Sequence, residues 1–405
     1  MFNRDRIALW LEARESRILG IRPDATVLEG PGYLYRPNQL VVNTDDLHLV
    51  ADQLREVGAE EQPELTRAFA EHGIPITVFW VTTVPIPTLA SRLRSVKDEG
   101  SAVPRVGPNH VLTGEPTYHG GAGGEPRPCP PLPQEPTDEE PSLTVGALDT
   151  GVPLDLAALH PDLAARITGD GNDVDTLYAG GDILDHEGGH GTFVSGILMR
   201  CAPTVLIDPE KVLTPDGIGD DVTVTLGLAE AKCRLVNASL GGYTQDDMPP
   251  PALEAYLSQL DPESVIVAAA GNNAQGRPFW PAAFKHVVAV GAVDTRDGAV
   301  MPAPFSNFGQ WVDCCAAGVD IASTYVKGEW RLAETDVIEE FDGWACWSGT
   351  SFAAPQVTAA IARRMRGTGL TPRQAAHHVL ADATHHVPGL GVFIRSHVNL
   401  LCHDC

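Results

Sequence analysis

The chain has 405 residues, 43% of them hydrophobic, which is enough for two or three domains around a sizeable core. It carries 28 Lys and Arg against 53 Asp and Glu, and the formal net charge of -25 argues against nucleic acid or an anionic membrane surface as a partner. The first residues go straight into charge with no signal-peptide core, and no stretch approaches the roughly 18 apolar residues of a membrane helix, so a cytoplasmic location is expected.

In chain order, residues 1 to about 35 read as an amphipathic start. Gln39–Val42 reads as a strand. Asp45 and Asp46 precede a helix through Arg55, with Leu47, Val50, Ala51 and Leu54 on one face. Ile76–Val81 is a second strand, Thr88–Arg94 a short helix and Asn109–Leu112 a last strand. Strands alternating with helices predict a small α+β domain over residues 1–113. Residues 114–141 then hold a cluster of glycines and eight prolines, the signature of an extended, mobile linker open to proteolysis.

A third region, 142–405, changes pattern again. Apolar runs at Leu143–Leu148, Val205–Ile207, Leu235–Ser239, Val265–Ala270 and Val287–Val290 alternate with helical stretches at Thr192–Met199, Val222–Ala231 and Phe352–Met365. Continuous apolar strands separated by helices predict an α/β fold with a mainly parallel sheet between helices. The eight cysteines of a large leaderless chain should be mostly reduced and many of them buried. Cys402 and Cys405 have the spacing of a metal or redox pair, but they lie alone at the chain's end, and we assign no metal.

Three segments carry chemistry. A serine hydroxyl is a poor nucleophile at neutral pH and needs a base; histidine suits that task, and a carboxylate on its other ring nitrogen fixes the tautomer. Ser351 sits in Gly-Thr-Ser-Phe-Ala-Ala-Pro at the start of a helix, where free N–H groups favour developing negative charge. Pro355 falls close enough to that start for its missing N–H to cost little. His190 lies in Gly-His-Gly-Thr, a context that favours it over the nearby His186. Asp149 closes an apolar strand, where open α/β sheets place catalytic groups. Asn272, just past a buried strand and next to Asn273, offers an amide that would hold an oxyanion together with the Ser351 N–H. The strand ending Ser239-Leu240-Gly241-Gly242 exposes backbone groups to which an extended peptide can add.

The order Asp, His, Ser and the motifs Asp149-Thr150-Gly151, His190-Gly191-Thr192 and Gly349-Thr350-Ser351 resemble the subtilisin-like serine protease family. Ser239-Leu240-Gly241-Gly242 resembles that family's substrate strand, and Ala269-Ala270-Gly271-Asn272 its oxyanion segment, which selects Asn272 over Asn273. The resemblance covers roughly residues 142 to 370 and implies a three-layer fold and a serine endopeptidase acting on polypeptide substrates without a cofactor. Ala269, Ala270 and Gly271 would form the second wall of the substrate pocket. Gln356 departs from the histidine common in relatives, and the lack of a clear calcium loop leaves calcium unsupported. The N-terminal domain reads either as an inhibitory pro-domain cut away between about Glu115 and Pro141, or as a permanent recognition domain. A leader-peptide maturation protease and a non-catalytic peptide binder on the same scaffold are the alternative functions.

Overall fold

The structure is a computed structural model that describes residues 28–30, 32–96, 103–114, 125–133, 140–177, 184–331 and 338–402. The amphipathic start expected up to residue 35 lies largely outside these residues. Its N-terminal unit begins with the antiparallel strands β1 (Leu28–Gly30) and β2 (Tyr33–Asn43). Helix α1 (Leu47–Glu56), strand β3 (Glu60–Glu61) and helix α2 (Pro63–Glu71) follow. Strand β4 (Ile76–Trp80), helix α3 (Ile86–Arg94) and strand β5 (Val106–Thr113) complete the unit. The strands pair in the order β3-β4-β2-β5, all antiparallel.

Side chains alternate across a strand, and here both faces of β2 are apolar. Leu40 and Val42 pack with Val50 and Leu54 of α1 and with Leu89 and Leu93 of α3. Val41 points the other way, joining Phe69, Ile76 and Val78 against Val222, Ala252 and Ala255 of the larger unit. The second face of the small sheet is thus an interface rather than a solvent face.

Residues 125–133, expected to be part of a mobile linker, are docked instead. Strand β6 (Arg127–Pro128) adds antiparallel to Cys346 and Ala345, Arg127 pairs with Asp320 at 2.7 Å, and Pro133 accepts a hydrogen bond from Arg200. The local chain offers few apolar residues, so this docking rests on partners far away in sequence.

The larger unit starts with β7 (Leu143–Asp149), two short helices α4 (Leu156–Leu159) and α5 (Pro161–Ala164), and α6 (His190–Cys201). Next come β8 (Val205–Lys211), β9 (Ile218–Asp220), α7 (Asp221–Glu230), β10 (Leu235–Ala238) and α8 (Pro251–Leu257). Strands β11 (Val265–Ala269), β12 (Val287–Asp294), β13 (Met301–Pro302) and β14 (Cys314–Ala317) lead to the hairpin β15 (Ile321–Arg331) and β16 (Ile338–Trp347). Helices α9 (Thr350–Met365) and α10 (Pro372–Asp382) and strands β17 (His386–Val387) and β18 (Gly391–Phe393) end it.

Strands β8-β7-β10-β11-β12-β14-β18 run parallel in that order, with short antiparallel partners at β13 and β17. The alternation sorts the two helical layers. Val145, Val267 and Val290 meet Phe193 and Ile197 of α6 and Phe352 and Val357 of α9. Leu148, Ile266 and Ala289 meet Leu228 of α7 and Leu253 and Leu257 of α8 on the opposite face. The expected α/β sandwich is therefore present. Cys129, Cys201, Cys233, Cys314, Cys315 and Cys346 are free thiols, whereas Cys402 is disulfide-bonded. Among the described residues no helix is long and apolar enough to cross a membrane, and no group of three or more metal-ligating side chains gathers.

Candidate active site

Asp149, His190 and Ser351 come from the end of β7, the first residue of α6 and the second residue of α9. His190 Nδ1 and Asp149 Oδ1 are 2.7 Å apart, and the same carboxylate oxygen accepts the Thr150 N–H at 2.8 Å. The imidazole lies against Phe352, with ring centroids 5.4 Å apart, and edge-on to Trp347 at 5.5 Å. That packing brings it beside the residue that follows Ser351. All three side chains are buried.

Gly191 makes this approach possible. A Cβ there would overlap the Gly151 carbonyl, so only glycine lets the first turn of α6 sit on the turn after Asp149. Asp175 ties the same two segments together. It accepts the Gly189 N–H at 2.8 Å, the Thr150 hydroxyl at 2.7 Å and the Leu177 N–H at 2.9 Å, while Thr150 Oγ1 accepts the Gly191 N–H at 3.1 Å. Burial pushes the Asp175 carboxyl up to about 6 despite these donors. Sequence reasoning missed Asp175, because nothing local distinguishes it from the neighbouring acids.

Asn272 Oδ1 accepts both the N–H and the hydroxyl of Thr350, at 2.8 and 2.7 Å. Anchoring the oxygen leaves Nδ2 as the amide's donor, beside the start of α9. The loop carrying Asn272 is shaped by Asn307, a second residue whose role was not foreseen. Asn307 accepts the N–H groups of Asn273 and Gln275 at 3.1 and 3.0 Å and donates to the Ala270 carbonyl at 2.8 Å. Gly271 donates its N–H to Thr350 Oγ1 at 3.0 Å, and Ala269 ends β11 fully inside the core.

Pro355 stands deeper in α9 than its sequence reading allowed. A helix residue at that position would donate its N–H to the Ser351 carbonyl, and proline has none. Ser239 supplies the missing donor: its hydroxyl donates to Ser351 O at 2.7 Å and accepts from Asn237 Nδ2 at 2.9 Å. Ser239 thus braces the Ser351 backbone.

The other substrate-strand residues divide. Leu240 is buried in the core. Gly241 exchanges hydrogen bonds with Thr113, N–H to carbonyl at 2.8 and 2.9 Å. Gly242, expected to meet substrate, uses its N–H and carbonyl on Trp280 instead, at 2.8 and 2.9 Å. Its role is to leave room, since a Cβ there would lie 2.9 Å from Leu112 Cδ2.

The segment Val111-Leu112-Thr113-Gly114 therefore fills the groove. It pairs antiparallel with β9 on one side, Val111 opposite Asp220 and Thr113 opposite Ile218, and with Gly241 on the other. Gly114 donates its N–H to the Gly217 carbonyl at 3.3 Å, and its own carbonyl accepts the Ser351 hydroxyl at 3.2 Å. The small unit is fastened around this entry. Arg36 pairs with Asp220 at 2.8 Å, His110 Nε2 accepts the Gln245 N–H at 3.0 Å, and Asn109 Oδ1 accepts the Val222 N–H at 3.3 Å. Burial, reinforced by the nearby Arg94, pulls the His110 pKa down to about 3, which keeps its ring neutral and able to accept.

Residues 141–393 match the subtilase family model. The chain is 32% identical over 267 residues to a thermophilic serine proteinase of Bacillus sp. (strain AK1), covering 62% of this chain and 58% of that one. It is likewise 32% identical over 237 residues to an intracellular serine protease of Paenibacillus polymyxa, covering 54% and 65%. It thus spans about three fifths of the length of these relatives. Fervidolysin from Fervidobacterium pennivorans, a keratinolytic enzyme related to subtilisin, matches in fold with a TM-score of 0.61 at 19% identity, over 91% of this chain and 61% of its own. Sheet order, site geometry and the match over residues 141–393 agree, and the chain belongs to the subtilase family.

Proposed function

We propose that the chain is a serine endopeptidase that acts through an acyl-enzyme on Ser351, and that its N-terminal unit occupies the substrate groove as a built-in inhibitor. In this reading Ser351 attacks the scissile carbonyl while His190 takes its proton and later returns it to the leaving amine. Asp149 orients His190 and stabilises the imidazolium, and Asn272 Nδ2 with the Ser351 N–H receives the oxyanion. This chemistry calls on no cofactor. The observation that carries the proposal is the Thr113–Gly241 pairing, which delivers the Gly114 carbonyl to the Ser351 hydroxyl. A polypeptide seated there runs as a third strand between β9 and the Gly241 edge, so extended peptides are the proposed substrates. Six free thiols among the described residues support a reducing, cytoplasmic setting, and the disulfide at Cys402 counts against it.

A fluorophosphonate probe and intact-mass measurement test the proposal. Ser351 should be labelled in the wild type, and labelling should vanish on His190→Ala. Wild-type chain should cut itself within residues 115–141, and Ser351→Ala should remain whole. Equal peptidase activity in wild type and Ser351→Ala would end the assignment of the nucleophile. Self-cutting outside that segment would end the pro-domain reading.

A further inference from the structure

We propose that Glu187 is a specificity-determining residue that restricts one substrate position, the one Gly114 occupies, to glycine. The inference rests on the reading that residues 111–114 lie as a substrate would. A Cβ built on Gly114 would overlap Glu187 Oε2 and lie 3.2 Å from its Cδ and 3.0 Å from Leu213 Cδ1. The carboxylate therefore stands where a substrate side chain would begin.

Glu187 has little room to withdraw. Gly217 closes its far side, with a backbone φ of +73° that favours glycine. A Cβ at Gly217 would come 2.7 Å from both Cγ and Oε1 of Glu187. The glutamate side chain is thus wedged between two glycine backbones, one on the groove wall and one on the occupying strand. Its main chain is fixed as well: the Glu187 N–H donates to Pro215 O and its carbonyl accepts the His190 N–H, both at 2.9 Å. A shift of Glu187 would pull on the first residue of α6, which carries the catalytic imidazole. With residues 111–114 in place the side chain is fully buried, and what it presents to Gly114 is a steric wall.

The test is a peptide series with the sequence of residues 109–115 and an alanine-rich tail, with position 114 set to Gly, Ala or Lys. Wild type should cut the Gly peptide with kcat/KM about tenfold or more above the Ala peptide, the scale on which a packed pocket rejects one extra carbon. Glu187→Ala should bring the Gly and Ala peptides to parity, while Glu187→Gln, equal in size, should keep the preference. Should Glu187→Ala fail to fold, Glu187→Asp, shorter by one methylene, should admit alanine. A Lys preference, no preference, or a preference unchanged in the shortened variants would overturn the proposal. A second reading needs no turnover. In the full chain carrying Ser351→Ala, Gly114→Ala should lower the thermal midpoint, and the loss should shrink when Glu187→Ala is added; no shrinkage counts against Glu187. Absence of both probe labelling and cleavage would sink the peptidase assignment, whereas cleavage indifferent to position 114 sinks only the role of Glu187.

Discussion

Ser239→Ala probes the brace under Ser351. Its hydroxyl satisfies the Ser351 carbonyl at 2.7 Å and takes the Asn237 amide at 2.9 Å, all within the core. Removing it strands a buried acceptor and a buried donor, each worth about 1–3 kcal/mol. The sum, roughly 2–6 kcal/mol, is a large part of a typical domain's net stability. Pro355→Ala restores a main-chain N–H aimed at the same carbonyl. In that background Ser239→Ala should therefore hurt less, by about 1–2 kcal/mol, because only the Asn237 amide remains unpaired. Thermal unfolding of the four proteins, all carrying Ser351→Ala to prevent self-digestion, reads the effect. At about 2–4 °C per kcal/mol for a domain of this size, the two Ser239→Ala shifts should differ by several degrees. Identical shifts in both backgrounds would refute the idea that Ser239 stands in for the helix bond Pro355 cannot make.

Asn272→Ala should lower turnover by about 10²–10³, the loss known for subtilisin's own oxyanion asparagine, and near-normal turnover would remove Asn272 from the site. Arg36→Ala leaves Asp220 buried without its partner at 2.8 Å, a change worth about 3–5 kcal/mol, so the uncut chain should hydrolyse added peptide faster if the N-terminal unit inhibits as proposed; an unchanged rate would show that this pair does not hold that unit in place. Burial raises the Asp221 carboxyl from 3.8 to about 7 although it accepts the N–H groups of Ala252 and Leu253. Because the folded state keeps that proton longer than the unfolded state, its stability contribution is greatest below pH 4 and falls as pH rises to about 7. The thermal midpoint of the Ser351→Ala chain should thus exceed that of its Asp221→Asn derivative most at low pH, and a gap that widens towards pH 7 would contradict this.

Much of the larger unit was legible because its signals are local. Runs such as Val265–Ala269 have no polar face to hide and must be central strands. Motif order placed Asp149, His190 and Ser351 at strand and helix ends, and the folded chain brings the first two into contact. What stayed hidden depends on distant partners. Asp175 and Glu187 each look like one acid among 53, and only the folded chain shows one bonded to Gly189 and the other against Gly114. Helix α2 was overlooked because Pro63–Glu71 mixes charge with few large apolar residues, and its Phe69 finds its place beneath the sheet. The docking of Arg127 likewise needs Asp320, remote in sequence. For the same reason the bonding of the Gly242 backbone to Trp280 was not legible, although Gly242 lies against Val111 and Leu112.

Strand β6 lies stitched to β16 on the larger unit, while the segment that enters the groove stops at Gly114. Any break between Gly114 and Glu125 would leave β6 where it is and turn the groove's occupant from a tethered arm into a separate molecule. A tethered occupant rebinds at an effective concentration on the order of millimolar, whatever the dilution. A severed one answers to bulk concentration alone. Dilution, such as follows release into a larger volume, would then act as the trigger, with no second factor required.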